Sequence, residues 1–197
     1  MRLFTPGFTG RRPATDAHLP PGQYLTEGFP VLAHGPTPHI SKDEWTLTIT
    51  TEAGQARQWN WSEFQALPQE DVTVDIHCVT SWSKLGTTWR GVSLDTLLDT
   101  VQTNAEFAMA HSYTGYITNV PVADLRDGRA WIVHQFDGVD LEAEHGGPAR
   151  LLVPHLYFWK SAKWLNGIHL MDHDEPGFWE QNGYHMYGDP WREQRYW

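Results

Sequence analysis

The chain predicts an α+β fold of mixed β-sheets with few short helices, and three observations carry that expectation. Apolar Trp45, Leu47 and Ile49 interleave with Thr46, Thr48 and Thr50, and period-two alternation marks a half-buried strand. Only two short stretches carry helix signals, one opening at Ser62 and one at Ser93. Proline and glycine punctuate the rest so often that long helices have no room. At 197 residues the chain can bury a sizeable core as one domain. The organisation expected is a single domain over 1–197, with 1–42 as an extended N-terminal arm.

The arm follows from "RRPATDAHLPPGQ" and "HGPTPHIS", too rich in Pro and Gly for regular elements. Its one apolar island, Phe29, Val31 and Leu32, offers something to dock with. The alternating run 45–50 turns at "EAGQ" into a second strand through Trp59. In "SEFQALP" the spacing of Ser62 and Gln65 suggests a capping box, and Pro68 ends the short helix. Val72, Val74, Ile76 and Cys78 then share one face of a strand, with Thr73, Asp75 and His77 on the other. Cys78 is thus expected to face the core at the strand's end, followed by a loop, "VTSWSKLGTTWRG".

Ser93 caps a helix in which Leu94, Leu97, Leu98 and Val101 form one buried stripe. Strand-like runs follow at 107–111, 116–120 and 131–136, with a hairpin turn at Asp137-Gly138. "ARLLVP" and "AKWLNGIHL" add two more strands, and the tail 172–197 reads as irregular.

A formal charge of −10 argues against a nucleic-acid binder, which would present a basic face. One cysteine cannot form an internal disulfide, so the thiol is either core filler or chemistry. The first residues lack an apolar signal core, and "LLVPHLYFW" falls short of the ~20 residues of a spanning helix. The expectation is a soluble, cytoplasmic protein that does not span a membrane.

Two clusters could carry chemistry. One is Cys78 where an apolar strand meets a loop, since loops commonly carry sites. The other is "EHGGPARLLVPHLYFWKSAKW", where glycines permit close backbone approach and Arg150, Lys160 and Lys163 concentrate positive charge in an acidic chain. That density suits an anion such as a phosphate or pyrophosphate.

Together, "HCVTSWSKLGTTWRGVSLDTLL" and, some way on, "HGGPARLLVPHLYFWKSAKWL" resemble the molybdopterin-binding domain. That domain is shared by sulfite oxidases, assimilatory nitrate reductases and the molybdenum subunit of the periplasmic methionine sulfoxide reductase. The resemblance implies a sulfite-oxidase-like molybdopterin-binding fold and a Mo-molybdopterin cofactor with one pyranopterin dithiolene per metal. Cys78 would be the protein's metal ligand, soft sulfur suiting a metal that changes oxidation state. His145, Arg150, Ser161, Ala162, Lys163 and Ser112 would hold the cofactor, covered by the arm at Phe29, Pro30 and Val31. Trp82, Lys84, Tyr113 and Trp159 would face the substrate.

Sulfite oxidases place arginines just after the metal-binding cysteine, whereas this chain has Thr80, Ser81, Trp82 and Ser83, with Lys84 the first cation. That wording is closer to the sulfoxide reductase branch. The resemblance implies two-electron oxygen-atom transfer on a small substrate, sulfur compounds among the candidates, and a separate one-electron donor or acceptor protein, for instance a haem protein. No haem is expected in this chain.

Two non-catalytic readings stay open. His169, Asp172, His173, Asp174 and Glu175 could build a zinc or calcium site in the loop 169–175. Trp45, Trp59, Trp61, Trp82, Trp89, Trp131 and Trp164 could serve a glycan-binding module.

Overall fold

The structure, a computed structural model, describes residues 19–197. The first eighteen residues of the expected arm lie outside the described residues. From residue 19 the arm runs extended and contributes only a two-residue strand, β1 (Tyr24–Leu25). The alternating run forms β2 (Thr46–Thr50), antiparallel to β3 (Ala56–Asn60), with Leu47 and Ile49 buried. Helix α1 (Trp61–Gln65) follows at once. Its cap is Asn60 and not Ser62: the Asn60 side chain accepts from Glu63 N while the Glu63 carboxylate accepts from Asn60 N. A polar side chain thus completes the same reciprocal box two residues earlier.

Strand β4 (Glu70–His77) turns tightly into the long β5 (Trp82–Ser93), where the sequence suggested a loop. The reason lies in Thr87, Trp89 and Gly91, which alternate as buried positions and pair against β4 and the later β8. Gly91 is obligatory there, since a Cβ would lie 2.1 Å from the Ile132 carbonyl oxygen. Ser93 does cap α2 (Leu94–Leu98), but the helix stops short of Val101 because the Thr100 hydroxyl takes the Leu97 carbonyl at 2.6 Å.

The remaining strands are β6 (Phe107–Ser112), β7 (Ile117–Pro121), β8 (Trp131–Phe136), β9 (Val139–Asp140), β10 (Arg150–Leu152) and β11 (Leu165–Met171). Asp137 and Gly138 both take positive φ in the β8–β9 hairpin, as that turn requires. The tail adds a short helix, α3 (Phe178–Gln181), and a bridge between Tyr184 and Tyr196.

The strands form two sheets. One runs β1-β5-β8-β10, with β4 pairing β5 and β9 pairing β8; the other runs β3-β2-β11-β6-β7. The main core lies between them: Leu47, Ile49 and Ile168 from the second sheet meet Val92, Ile132 and Leu151 from the first. The first sheet is also buried on its other face, where Trp89, Val133 and Leu152 join Cys78, Trp82, Phe158 and Trp159. Because side chains alternate, Arg150 shares the Leu152 face, away from the main core.

Candidate active site

A cavity of about 330 Å³ opens on that second face, and both sequence clusters reach it. Cys78, Trp82, Arg150, Trp159, Ser161, Ala162 and Lys163 line it, and the arm adds Phe29 and Pro30.

Cys78 sits just beyond β4 in the turn to β5. Its N–H donates to Trp82 O at 2.8 Å, its carbonyl accepts from Ser81 N at 3.0 Å, and Ser81 takes φ 77° to close the turn. Gln23 Nε2 donates to the Cys78 carbonyl at 3.0 Å and Arg195 Nη1 donates to that of Val79, so the arm and the C-terminal segment brace the turn. Burial pushes the thiol up, opposed by hydrogen bonding from Thr80, by the Arg195 charge and by the Val79 backbone. His77 points away and bonds Ser83 Oγ at 2.8 Å, with burial lowering its pKa.

The cation cluster divides in two. Lys160 Nζ pairs with Glu180 at 2.7 Å, both side chains at 0% exposure, and donates also to Asn119 and to the Met186 carbonyl. It is not a cavity residue. Arg150 is 1% exposed, and its hydrogen bonds go only to carbonyls: His145 O and Ser161 O at 2.7 Å and Leu151 O at 3.5 Å. Its guanidinium lies 4.2 Å from the Phe158 ring centroid. Among the described residues no carboxylate pairs with it. Burial lowers its pKa to about 9, which still leaves it cationic at neutral pH. Burial, with the Arg150 charge, brings Lys163 down to about 7. Gly146 lets the two approach, since a Cβ there would meet both of their Cβ atoms at 3.0–3.1 Å.

Phe29 is the arm's anchor, stacked on His145 with centroids 4.0 Å apart and packed against Trp82, Trp89 and Phe158. Val31 and Leu32, expected to dock with it, are exposed. Val31 is outside the cavity lining, while Leu32, Ala33 and His34 carry the arm across the rim to α3, where His34 packs on Phe178.

Several expected site residues lie elsewhere. Lys84 Nζ is captured by the Glu27 carbonyl at 2.8 Å, on the outside of the arm. The Tyr113 hydroxyl accepts from Thr46 N at 2.7 Å and so ties the turn after β6 to β2, away from the cavity. Ser112 bonds Thr114 within its own turn. His145 reaches the site through its carbonyl on Arg150 and its ring on Phe29, outside the lining itself. The residue that β6–β7 sends to the cavity is Tyr116, whose hydroxyl donates to Trp159 O at 2.7 Å.

Trp179, Tyr184 and Phe158 also line the wall and were not foreseen. Only the aromatic richness of the tail hinted at the first two; nothing local marked it as a wall.

Neither alternative assembles. His169 lies on β11, not in a loop, and His173 bonds Glu175 on the exposed surface. The three potential ligands gathered within 4.8 Å among the described residues are Glu142, Glu144 and His145 instead. Of the seven tryptophans proposed for a glycan face, all but the half-buried Trp61 are core residues.

The donor set fits a molybdenum pterin. A soft sulfur, an uncompensated buried guanidinium, a second cation and aromatic walls share one cavity, matching a soft metal, a phosphate and a flat heterocycle. Among the described residues no helix is long and apolar enough to cross a membrane.

Residues 34–179 match the family described as oxidoreductase molybdopterin binding domain. The uncharacterized oxidoreductase YuiH of Bacillus subtilis is 38% identical over 189 residues, covering 94% of this chain and 96% of its own. The putative protein-methionine-sulfoxide reductase subunit YedZ1 of Azospira oryzae is 25% identical over 177 residues, 87% of this chain and 67% of that one. Among solved structures, the sulfane dehydrogenase SoxCD from Paracoccus pantotrophus superposes with a TM-score of 0.64 at 19% identity, covering 71% of this chain and 41% of that one, a likeness of fold. Sequence match, shared fold and donor set agree: the chain belongs to the oxidoreductase molybdopterin-binding domain family, and is an oxidoreductase that takes a molybdenum-molybdopterin cofactor.

Proposed function

We propose that Cys78 ligates the molybdenum and that the chain, as one domain, carries out two-electron oxygen-atom transfer on a small substrate, with a separate one-electron protein as redox partner. The observation that carries this reading is the convergence on one cavity of Cys78 with Arg150, a buried cation that lacks a carboxylate among the described residues. A buried charge without a counter-ion is costly, and a ligand anion offsets that cost.

Arg150 and Lys163 would hold the phosphate, and Phe29 and Phe158 would flank the heterocycle. The bound cofactor supplies the metal centre for oxygen transfer, while the chain supplies ligand, access and electrostatics. Trp82, Trp179 and Tyr184 share the cavity wall with Cys78, and an aromatic wall would limit water beside the reacting atoms. Lys163, with a pKa of about 7, can hold or release a proton at Nζ near neutrality. Arg150 and Lys163 are the only Lys or Arg side chains in the lining among the described residues. With both committed to the cofactor, the remaining wall favours a neutral substrate over an oxyanion.

The test is molybdenum per chain by elemental mass spectrometry, on protein from a host that makes the cofactor. We expect about one molybdenum in wild type and none retained in Cys78→Ala, with both variants folded by circular dichroism. A loaded, active Cys78→Ala would remove the thiol from the reading.

A further inference from the structure

The turn that presents Cys78 also presents a hydroxyl to its sulfur. Thr80 Oγ1 donates to Cys78 Sγ at 3.1 Å, and both residues line the cavity. Among the described residues this sulfur is the only partner of that hydroxyl. Its position is set by backbone: the Cys78–Trp82 and Ser81–Cys78 hydrogen bonds close the turn, and Gln23 and Arg195 hold its carbonyls. The other hydroxyl with a defined role nearby, that of Ser83, is committed to His77 and Gln23. Thr80 is exposed to the cavity, and among the described residues its hydroxyl has no acceptor other than the sulfur.

A hydrogen bond to a thiolate ligand withdraws electron density from the sulfur. That makes the sulfur a weaker donor and favours the reduced metal; second-shell contacts of this kind tune metal sites generally. We propose that Thr80 is a positioning residue that raises the reduction potential of the bound molybdenum through its hydrogen bond to Cys78 Sγ. The inference rests on the reading of Cys78 as the metal ligand.

Wild type, Thr80→Val and Thr80→Ser are purified as holoenzyme from a cofactor-making host. The metal's midpoint potential is read by EPR-monitored redox titration, with dithionite as the reductant and mediator dyes to equilibrate it with the metal, beside metal content. Thr80→Val should keep its molybdenum and be harder to reduce, by up to about tenfold in the one-electron equilibrium constant, equivalent to about 59 mV. Thr80→Ser, which keeps the donor, should restore the wild-type potential. If Thr80→Val fails to load, Thr80→Ala, which removes the donor without added bulk, takes its place. A loaded variant without the hydroxyl at the wild-type potential overturns the inference, as does a shift that Thr80→Ser shares. Wild type without molybdenum overturns the Cys78 reading and the tuning with it, whereas indifferent variants of a loaded wild type overturn the tuning alone.

Discussion

Arg150 and Lys160 come from the same short segment and are both fully buried, yet their surroundings differ in kind. Lys160 has Glu180 at 2.7 Å and three further oxygens from Asn119 and Met186. Its charge is closed within the fold and ties β7 and the tail to the wall behind Trp159, whose indole N–H also donates to Glu180 at 2.7 Å. Arg150 has carbonyls and aromatic rings but, among the described residues, no carboxylate. A paired buried cation organises the protein; an unpaired one beside a cavity is available to a ligand.

The comparison is broken most directly by Lys160→Met, which strands the Glu180 carboxylate. Removing one partner of a buried pair costs about 3–5 kcal/mol. For a chain of this size that is a fall of roughly 10 °C in Tm, read by thermal unfolding; adding Glu180→Leu should recover much of it. A Tm within a degree of wild type would mean that the pair is not formed in solution.

Arg150→Met should behave in the opposite way. The cofactor-free protein should lose no more than about 5 °C in Tm, because removal of an uncompensated charge offsets the carbonyls of His145 and Ser161 left without a donor. Pterin retention after gel filtration falls about tenfold or more, the scale of one lost hydrogen bond to a charged group. A large loss of stability with the pterin retained would assign Arg150 to the scaffold.

The smallest effect concerns Lys163. Its folded pKa of about 7 lies below the ordinary 10.5, so between those values the unfolded chain binds more protons than the folded one. Stability of the cofactor-free protein therefore rises as pH climbs from about 7 towards 10.5 and gains nothing further above it. Lys163→Met should flatten that slope in denaturant titrations across the window. Anion affinity should run the other way, weakening as pH rises through 7 and the ammonium is lost.

Much of this site could be read before any coordinates. Cys78 at a strand's end, the glycine-permitted approach of "HGGPAR" and the cations after it were legible because each depends on local pattern. Lys84 and Tyr113 were misplaced for a shared reason: a long side chain goes to the nearest good acceptor or donor, here the Glu27 carbonyl and the Thr46 N–H, and those partners are distant in sequence. Tyr184 and Trp179 were missed because an irregular tail has no period from which to deduce which face it presents.

The sequence by itself determined the fold class, most strands other than β5, the cap at Ser93 and the residue types able to bind a soft metal and an anion, because alternation, turn chemistry and donor chemistry are local properties. Only the tertiary structure decided which cation met a carboxylate, which hydroxyl met the sulfur and which aromatics closed the cavity. Those outcomes depend on burial and on partners brought together by two sheets, as when Glu180, from the tail, neutralises Lys160 and leaves Arg150 without a counter-ion among the described residues.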